Sequence, residues 1–403
     1  MLAAGLALGV AAATGVAAAP AHAAPAHAAA VRADQARDGQ WYLKPLQVSE
    51  VHKVTQGEGI TVAVIDSGVN ANHPDLAGNV LPGHDMADPD SPDKGRRDRH
   101  GHGTGIATLI AGHGHGPGGS QGILGIAPRA KILPINVWSA KQKSSLKGAV
   151  GPAIRWAVDN GADVINVSLA GGWEADDLPA IRYALQAGVL VVAGVGNSPS
   201  VLVQAPANVG LTIAVTGHDK AGKPVTSVRG TPVGDEGDFG IDIAAPGKDI
   251  MVPDPDGGYD KATGTSTSTA IVSGALALVR AAHPNAGPGD QIKQLTWTGD
   301  DIGPKGPDDT FGLGRLNLMR AVTGQPHDYA ASAPPTPTRK PATGTERAAL
   351  EMDAEYRMIE AILIAVISLF CLSSVALVAF LVMRRRRRRA ARAAEDGDAP
   401  DGP

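Results

Sequence analysis

Gly59-Ile60-Thr61-Val62-Ala63-Val64-Ile65 is an almost unbroken apolar, β-branched run, and it ends in Asp66-Ser67-Gly68. A short run of this kind reads as a strand buried on both faces, the mark of a parallel sheet. Asp66 then stands at the strand's carboxyl end. Working outward, further strands are expected at Lys131 to Val137, Asp163 to Leu169 and Val189 to Val195. Between them, Leu146, Val150, Ile154, Ala157 and Val158 give Ser145 to Asn160 a helical spacing that stops at Asn160-Gly161. A second helix is expected over Leu178 to Ala187. Strands alternating with helices predict an α/β fold, a parallel sheet with helices on both faces. Such sheets bind ligands beyond the carboxyl ends of their strands. Asp66, the Ser168 to Gly171 segment and Gly196-Asn197 all fall at such ends.

Two more stretches carry chemistry. His100-Gly101-His102-Gly103-Thr104-Gly105 opens the apolar run Ile106 to Ala111, which places His102 at the start of a helix. Gly264-Thr265-Ser266-Thr267-Ser268-Thr269-Ala270 is a turn of small residues leading into an Ala-rich segment that ends at His283-Pro284. It would present Ser266 at the head of a buried helix, where unpaired N–H groups and the helix dipole favour negative charge. Ser/Thr runs commonly just cap helices, so the turn gains meaning only from partners. Asp66, His102 and Ser266 form a chemically sensible set. Ser266 Oγ would attack a carbonyl carbon, His102 would take its proton and later pass it to the leaving amine, and Asp66 would orient the imidazole. Asn197, flanked by Gly194 and Gly196, would offer its amide N–H to the developing oxyanion beside the backbone N–H of Ser266. The order Asp, His, Ser differs from the orders of α/β-hydrolases and of chymotrypsin-type enzymes. An α/β-hydrolase elbow would also need glycine where Ser268 stands.

Composition removes several classes. The 403 residues carry 36 basic against 40 acidic side chains, so nothing points to nucleic acid. The single cysteine, Cys371, lies in an apolar run near the C-terminus. That excludes an intramolecular disulfide, and a Cys nucleophile or Cys metal site in the main domain. No cofactor and no metal is expected. His100, His102, His113 and His115 match no common zinc spacing, and His113 and His115 read as loop residues. Asp85, Asp88, Asp90 and Asp93 read as a solvated acidic loop sooner than as a calcium site.

The two ends suggest export and anchoring. Leu2 to Ala19 is uncharged and rich in Ala, Leu, Val and Gly, and Ala21-His22-Ala23 follows as a small-x-small cleavage pattern, with a second at Ala26-His27-Ala28. Residues 1–23 read as a secretory signal peptide, although no Lys or Arg precedes the apolar run. An uncleaved anchor is the weaker alternative, because Ala and Gly make the run only mildly hydrophobic. Residues 24–40 form a short extension and 41–323 the folded domain. A Pro/Thr/Ala-rich linker follows at 324–346, and a charged juxtamembrane segment at 347–360. Ala361 to Met383 is uncharged and long enough to span a bilayer as a single C-terminal transmembrane helix. Arg384 to Arg389 follow it and belong on the cytoplasmic side. The expected topology is a single-pass protein of the cell membrane, with an extracytoplasmic folded domain and a cytoplasmic tail at 384–403.

Ala63-Val64-Ile65-Asp66-Ser67-Gly68-Val69 resembles the aspartate motif of the subtilases, His102-Gly103-Thr104 their histidine motif, and Gly264-Thr265-Ser266 their serine motif. Ser168-Leu169-Ala170-Gly171 resembles the strand lining the substrate cleft, and Gly194-Val195-Gly196-Asn197 the oxyanion segment. Ala245-Pro246-Gly247 and Gly312-Leu313-Gly314-Arg315-Leu316-Asn317 resemble later landmarks, so the likeness covers about residues 41 to 323. It implies a subtilisin-like fold and a serine endopeptidase acting on a protein or peptide substrate. Asp66, His102 and Ser266 would be catalytic and Asn197 the oxyanion donor. Ser168, Leu169, Ala170 and Gly171 would bind substrate. The serine motif departs from the family at Ser268 and Ala270, where Ala and Pro are usual; without that Pro the helix start loses a fixed φ. The anchor, the arginine-rich end and Trp41-Tyr42-Leu43 are similar to the mycosins, membrane proteases of type VII secretion. That resemblance implies association with the secretion membrane complex. Mycosins lack a conventional inhibitory pro-domain, and the residues between Ala23 and Trp41 are too few for one. Mycobacterial mycosins carry disulfides, which this chain cannot form. The rival reading is a structural subunit of the secretion complex whose protease site is weak or vestigial, with Ser268 and Ala270 as its best support. A secreted degradative protease is a third, weakened by the anchor.

Overall fold

A computed structural model describes residues 33–139, 144–146, 148–169, 177–197, 203–230 and 240–324. The signal peptide, the linker beyond Gly324, the juxtamembrane segment, span and tail read from the sequence lie outside the described residues, as do Ala170 and Gly171. Among the described residues no helix is long and apolar enough to cross a membrane.

The opening stretch forms strand β1, Thr61–Asp66, at the heart of a seven-stranded sheet. The other strands are β2 (His84–Asp85), β3 (Lys131–Asn136), β4 (Val164–Val167), β5 (Leu190–Gly194), β6 (Ile213–His218) and β7 (Ile243–Pro246). Their order is β7-β6-β5-β4-β1-β3-β2, and every pairing is parallel. Alternation along the strands feeds two cores. Val62 and Val64 join Ile106, Leu109, Ile110, Ile271 and Leu278 on one side. Ala63 and Ile65 join Ile154, Ala157, Ile181 and Ala184 on the other. Those partners identify the flanking helices: α2 (His102–Ala111) and α5 (Thr265–Ala282) cover the first face, α3 (Val150–Asp159) and α4 (Asp177–Gln186) the second. The α/β fold with helices on both faces is therefore present.

Some boundaries and elements differ from the sequence reading. The helix expected from Ser145 begins at Val150, because Ser144–Ser145 pairs with Trp138–Ser139 and Gly148 adopts a left-handed φ of 70°. Pro152 then sits in the first turn, where its missing N–H costs nothing. The strand expected over Asp163 to Leu169 stops at Val167, leaving Ser168 and Leu169 beyond the sheet. His113 and His115, expected in a loop, lie in a short antiparallel strand opposite Gln121–Leu124. His115 Nδ1 sits 2.6 Å from the fully buried Asp75. Ahead of Trp41, helix α1 (Ala33–Gly39) packs on the Gln121–Leu124 strand. From it Arg37 donates to the carbonyls of Gly119 (2.9 Å), Gly122 (3.1 Å) and Gln121 (3.4 Å).

Candidate active site

Pairing in register along β1 carries Asp66 to the carboxyl edge of the sheet, opposite Asn136 of β3. Its side chain is only 1% exposed. Ser67 N–H donates to Oδ1 at 2.7 Å. Helix α2 begins at His102 because Gly101 turns the chain with a left-handed φ of 91°. The helix can approach β1 only because position 103 is glycine: a Cβ there would lie 2.1 Å from the Gly68 carbonyl. This brings His102 Nδ1 to 2.8 and 2.9 Å from the two oxygens of Asp66. The imidazole keeps 34% of its side-chain surface exposed. The charge of Asp66 raises the His102 pKa above the ordinary 6.5; burial opposes this, while the Asp66 hydrogen bond and the charge of Asp98 add to it.

Helix α5 presents Ser266 in its first turn. The helix start is tied down by side-chain hydroxyls. Thr267 Oγ1 donates to the Gly264 carbonyl (2.9 Å) and Thr269 Oγ1 to that of Thr265 (2.7 Å). Ser268 is fully buried and its Oγ reaches the Ala245 and Pro246 carbonyls of β7 at 3.2 and 3.1 Å. Ala270 fills core space. Ser266 Oγ donates to the Ser168 carbonyl at 3.2 Å, and Ser168 Oγ returns a bond to the Ser266 carbonyl at 3.2 Å. Behind this clasp, Asn166 Nδ2 donates to Ser168 Oγ (3.0 Å) and Ser273 Oγ to Asn166 Oδ1 (2.9 Å). A hydroxyl has one proton, so donation to His102 would mean giving up the Ser168 carbonyl.

Asn197 stands three residues beyond β5, exposed at the same edge. Thr265 N–H donates to its Oδ1 at 2.8 Å. Only an oxygen can accept from that N–H, which fixes the amide's orientation and leaves Nδ2 as a donor close to Gly264. Of the four residues expected to bind substrate, Ser168 is buried against Ser266, Leu169 is half-buried against the second core, and Ala170 and Gly171 lie outside the described residues. Among the described residues no group of three His, Cys, Asp or Glu side chains is placed to hold a metal. The acidic loop turns on itself, with Asp85 Oδ1 accepting from the N–H groups of Ala87 and Asp88. Sequence reasoning passed over Asn166 and Ser273, which have no motif of their own. It also passed over Ser67, Asp98 and Thr104, which join β1 to α2 beneath the Asp66–His102 pair.

The arrangement offers a carboxylate-polarised imidazole, a hydroxyl at a helix N-terminus and an oriented amide donor on one edge. A profile of the subtilase family matches residues 57–314. Thermitase of Thermoactinomyces vulgaris is 34% identical over 290 residues, which cover 70% of this chain and 95% of thermitase. Among solved structures, MycP1 with its N-terminal propeptide removed aligns with a TM-score of 0.60 at 28% identity, over 72% of this chain and 98% of that one. A second MycP1 structure, described as a serine protease and an essential component of the type VII (ESX-1) secretion system, aligns with a TM-score of 0.59 at 28% identity, over 70% of this chain and 88% of that one.

Proposed function

The chain belongs to the subtilase family of serine endopeptidases, and from that premise we propose that Asp66, His102 and Ser266 are its catalytic triad and Asn197 its oxyanion donor. The observation that carries this is the double contact of Asp66 on His102 Nδ1, at 2.8 and 2.9 Å. It holds the proton on Nδ1 and leaves Nε2 as the base. An extended substrate adding as a strand beside Ser168 and Leu169 would offer its own N–H to the Ser168 carbonyl. That frees the Ser266 hydroxyl to turn to His102. Oγ then attacks the scissile carbonyl carbon while its proton passes to Nε2. The oxyanion takes hydrogen bonds from Asn197 Nδ2 and the Ser266 N–H. The imidazolium next protonates the leaving amine, and water repeats the sequence to release the acyl group.

The apolar run at 361–383 and the arginines behind it support anchoring in the cell membrane, with the peptidase domain on the extracytoplasmic side. The likeness to MycP1 supports a place in type VII secretion, with exported proteins as substrates and the secretion membrane complex as partner. A second reading, a structural subunit of that complex with a weak site, draws support from the Ser266 hydroxyl resting on Ser168. A fluorophosphonate probe separates the two on the full-length chain. Labelling that disappears in Ser266→Ala is expected of the protease. Absence of label from both proteins would sink the triad. Secretion that survives Ser266→Ala but stops on deletion of the protein would make the structural role the essential one.

A further inference from the structure

We propose that Asp98 is the positioning residue of this site, a second carboxylate that locks the Asp66 strand to the His102 helix and sets the working range of His102. The inference rests on the triad reading above. Asp98 lies in the charged loop before α2, and its two oxygens take five donors. Oδ1 accepts from Ser67 Oγ (3.0 Å), His100 N–H (2.9 Å) and Gly101 N–H (2.8 Å). Oδ2 accepts from Thr104 N–H (2.9 Å) and Thr104 Oγ1 (2.7 Å). Two relays pass through it. Gly103 N–H donates to Ser67 Oγ at 3.0 Å, and Asn70 N–H to Thr104 Oγ1 at 2.9 Å. Ser67 and Asn70 belong to the loop that leaves β1, whereas Gly103 and Thr104 belong to the first turn of α2. The carboxylate thus cross-links the two elements whose separation defines the Asp66–His102 bond.

Helix α2 has no side-chain cap of its own, because Gly101 stands at its N-cap. Its first N–H groups are met instead by Asp98 and by Ser67. An amide could not replace the carboxylate, since its NH2 would confront either the Thr104 pair or the Ser67, His100 and Gly101 donors. The helix N-terminus carries positive partial charge, which works against a protonated His102. The negative charge of Asp98 offsets it. Among the described residues, the charged and titratable groups facing His102 are Asp66, Asp98 and the ring of His100, whose centroid lies 6.3 Å away. His100 itself packs on Trp138 at 4.6 Å.

The test is the pH dependence of fluorophosphonate labelling at Ser266 in the full-length chain, with thermal melting as a control for folding. Labelling lost in Ser266→Ala upholds the triad; labelling retained there refutes the triad itself and not this inference alone. Asp98→Asn is expected to move the acid limb of the rate down by about half a pH unit and to cut the plateau rate about tenfold. Ser67→Ala keeps the charge but breaks one relay. It is expected to lower the plateau several-fold with the acid limb unmoved, and it serves if Asp98→Asn does not fold. An Asp98→Asn protein with both limb and plateau of the wild type would overturn the inference while the triad stood. So would a Ser67→Ala protein with the full wild-type rate.

Discussion

Replacing Asp66 with asparagine should disable the base without disturbing its position. Ser67 N–H lies 2.7 Å from Oδ1 and demands an acceptor there. Asparagine must therefore keep its oxygen at that corner and place Nδ2 where Oδ2 stood, 2.9 Å from His102 Nδ1. The retained oxygen still lies 2.8 Å from Nδ1, but it also serves the Ser67 N–H, and the amide N–H beside it opposes a protonated Nδ1. The balance shifts toward the tautomer with its proton on Nε2, the atom that must take the proton of Ser266. With only 1% of the Asp66 side chain exposed, water cannot enter to relieve the mismatch. The wrong tautomer is worth about 10⁴-fold in turnover, or about 5.5 kcal/mol of barrier. The assay is the rate of fluorophosphonate labelling near pH 8, with circular dichroism to show that Asp66→Asn folds. A folded Asp66→Asn protein that labels within tenfold of the wild type would refute the tautomer argument and the place of Asp66 in the site.

Four further outcomes follow from the structure. Asn197→Ala should lower kcat about 10²-fold at nearly unchanged KM, the scale subtilisin itself sets for loss of one oxyanion donor; steady-state kinetics on a peptide substrate checks it. His102 must lose its proton to act as a base and its pKa is raised, so the acid limb of the labelling rate should lie above pH 6.5. The sign for stability is opposite. The Asp66–His102 pair stabilises the fold fully below pH 6.5 and loses that contribution as pH climbs through the raised value; melting of Ser266→Ala across pH 6 to 9 reads it. Arg37→Ala should strand the carbonyls of Gly119, Gln121 and Gly122, costing about 2–3 kcal/mol and about 5 °C of melting temperature. A calorimetric scan unchanged within 1 °C would show that α1 contributes little.

The parts legible in the sequence are those fixed by short-range pattern. β1 could be read because a strand buried on both faces must be apolar throughout, and its end delivers Asp66 directly. α2 and α5 could be read because glycine precedes each and an apolar run follows. What the sequence hid depends on long-range pairing. β6 and β7 are short, Ala-containing strands that become recognisable only in the sheet, β6 paired with β5 and β7 with β6. Asp98 has no local signature, because the five donors that give it a role come from 31 residues before it to six after it. Ser168 was placed at the cleft by resemblance. Its reciprocal bond with Ser266 spans 98 residues and has no local signature.

The departures at Ser268 and Ala270 bear directly on whether the serine is well held. A proline at 270 would stand in the second turn, six residues into α5, where it would fix φ at the loss of a helix N–H donor. Here the start of the helix is held by hydroxyls: Thr267 to Gly264, Thr269 to Thr265, and Ser268 shared between the two carbonyls at the end of β7. Back-bonding of Thr to its own helix is mildly destabilising, but the Ser268 bonds cross to the sheet and pin the helix from outside. They also leave no buried Ser268 hydroxyl unpaired, which removes the penalty a polar group in that core position would otherwise carry. The altered motif thus changes how α5 is anchored and leaves Ser266 at the sheet edge, where its remaining constraint is the Ser168 carbonyl that a substrate strand would claim.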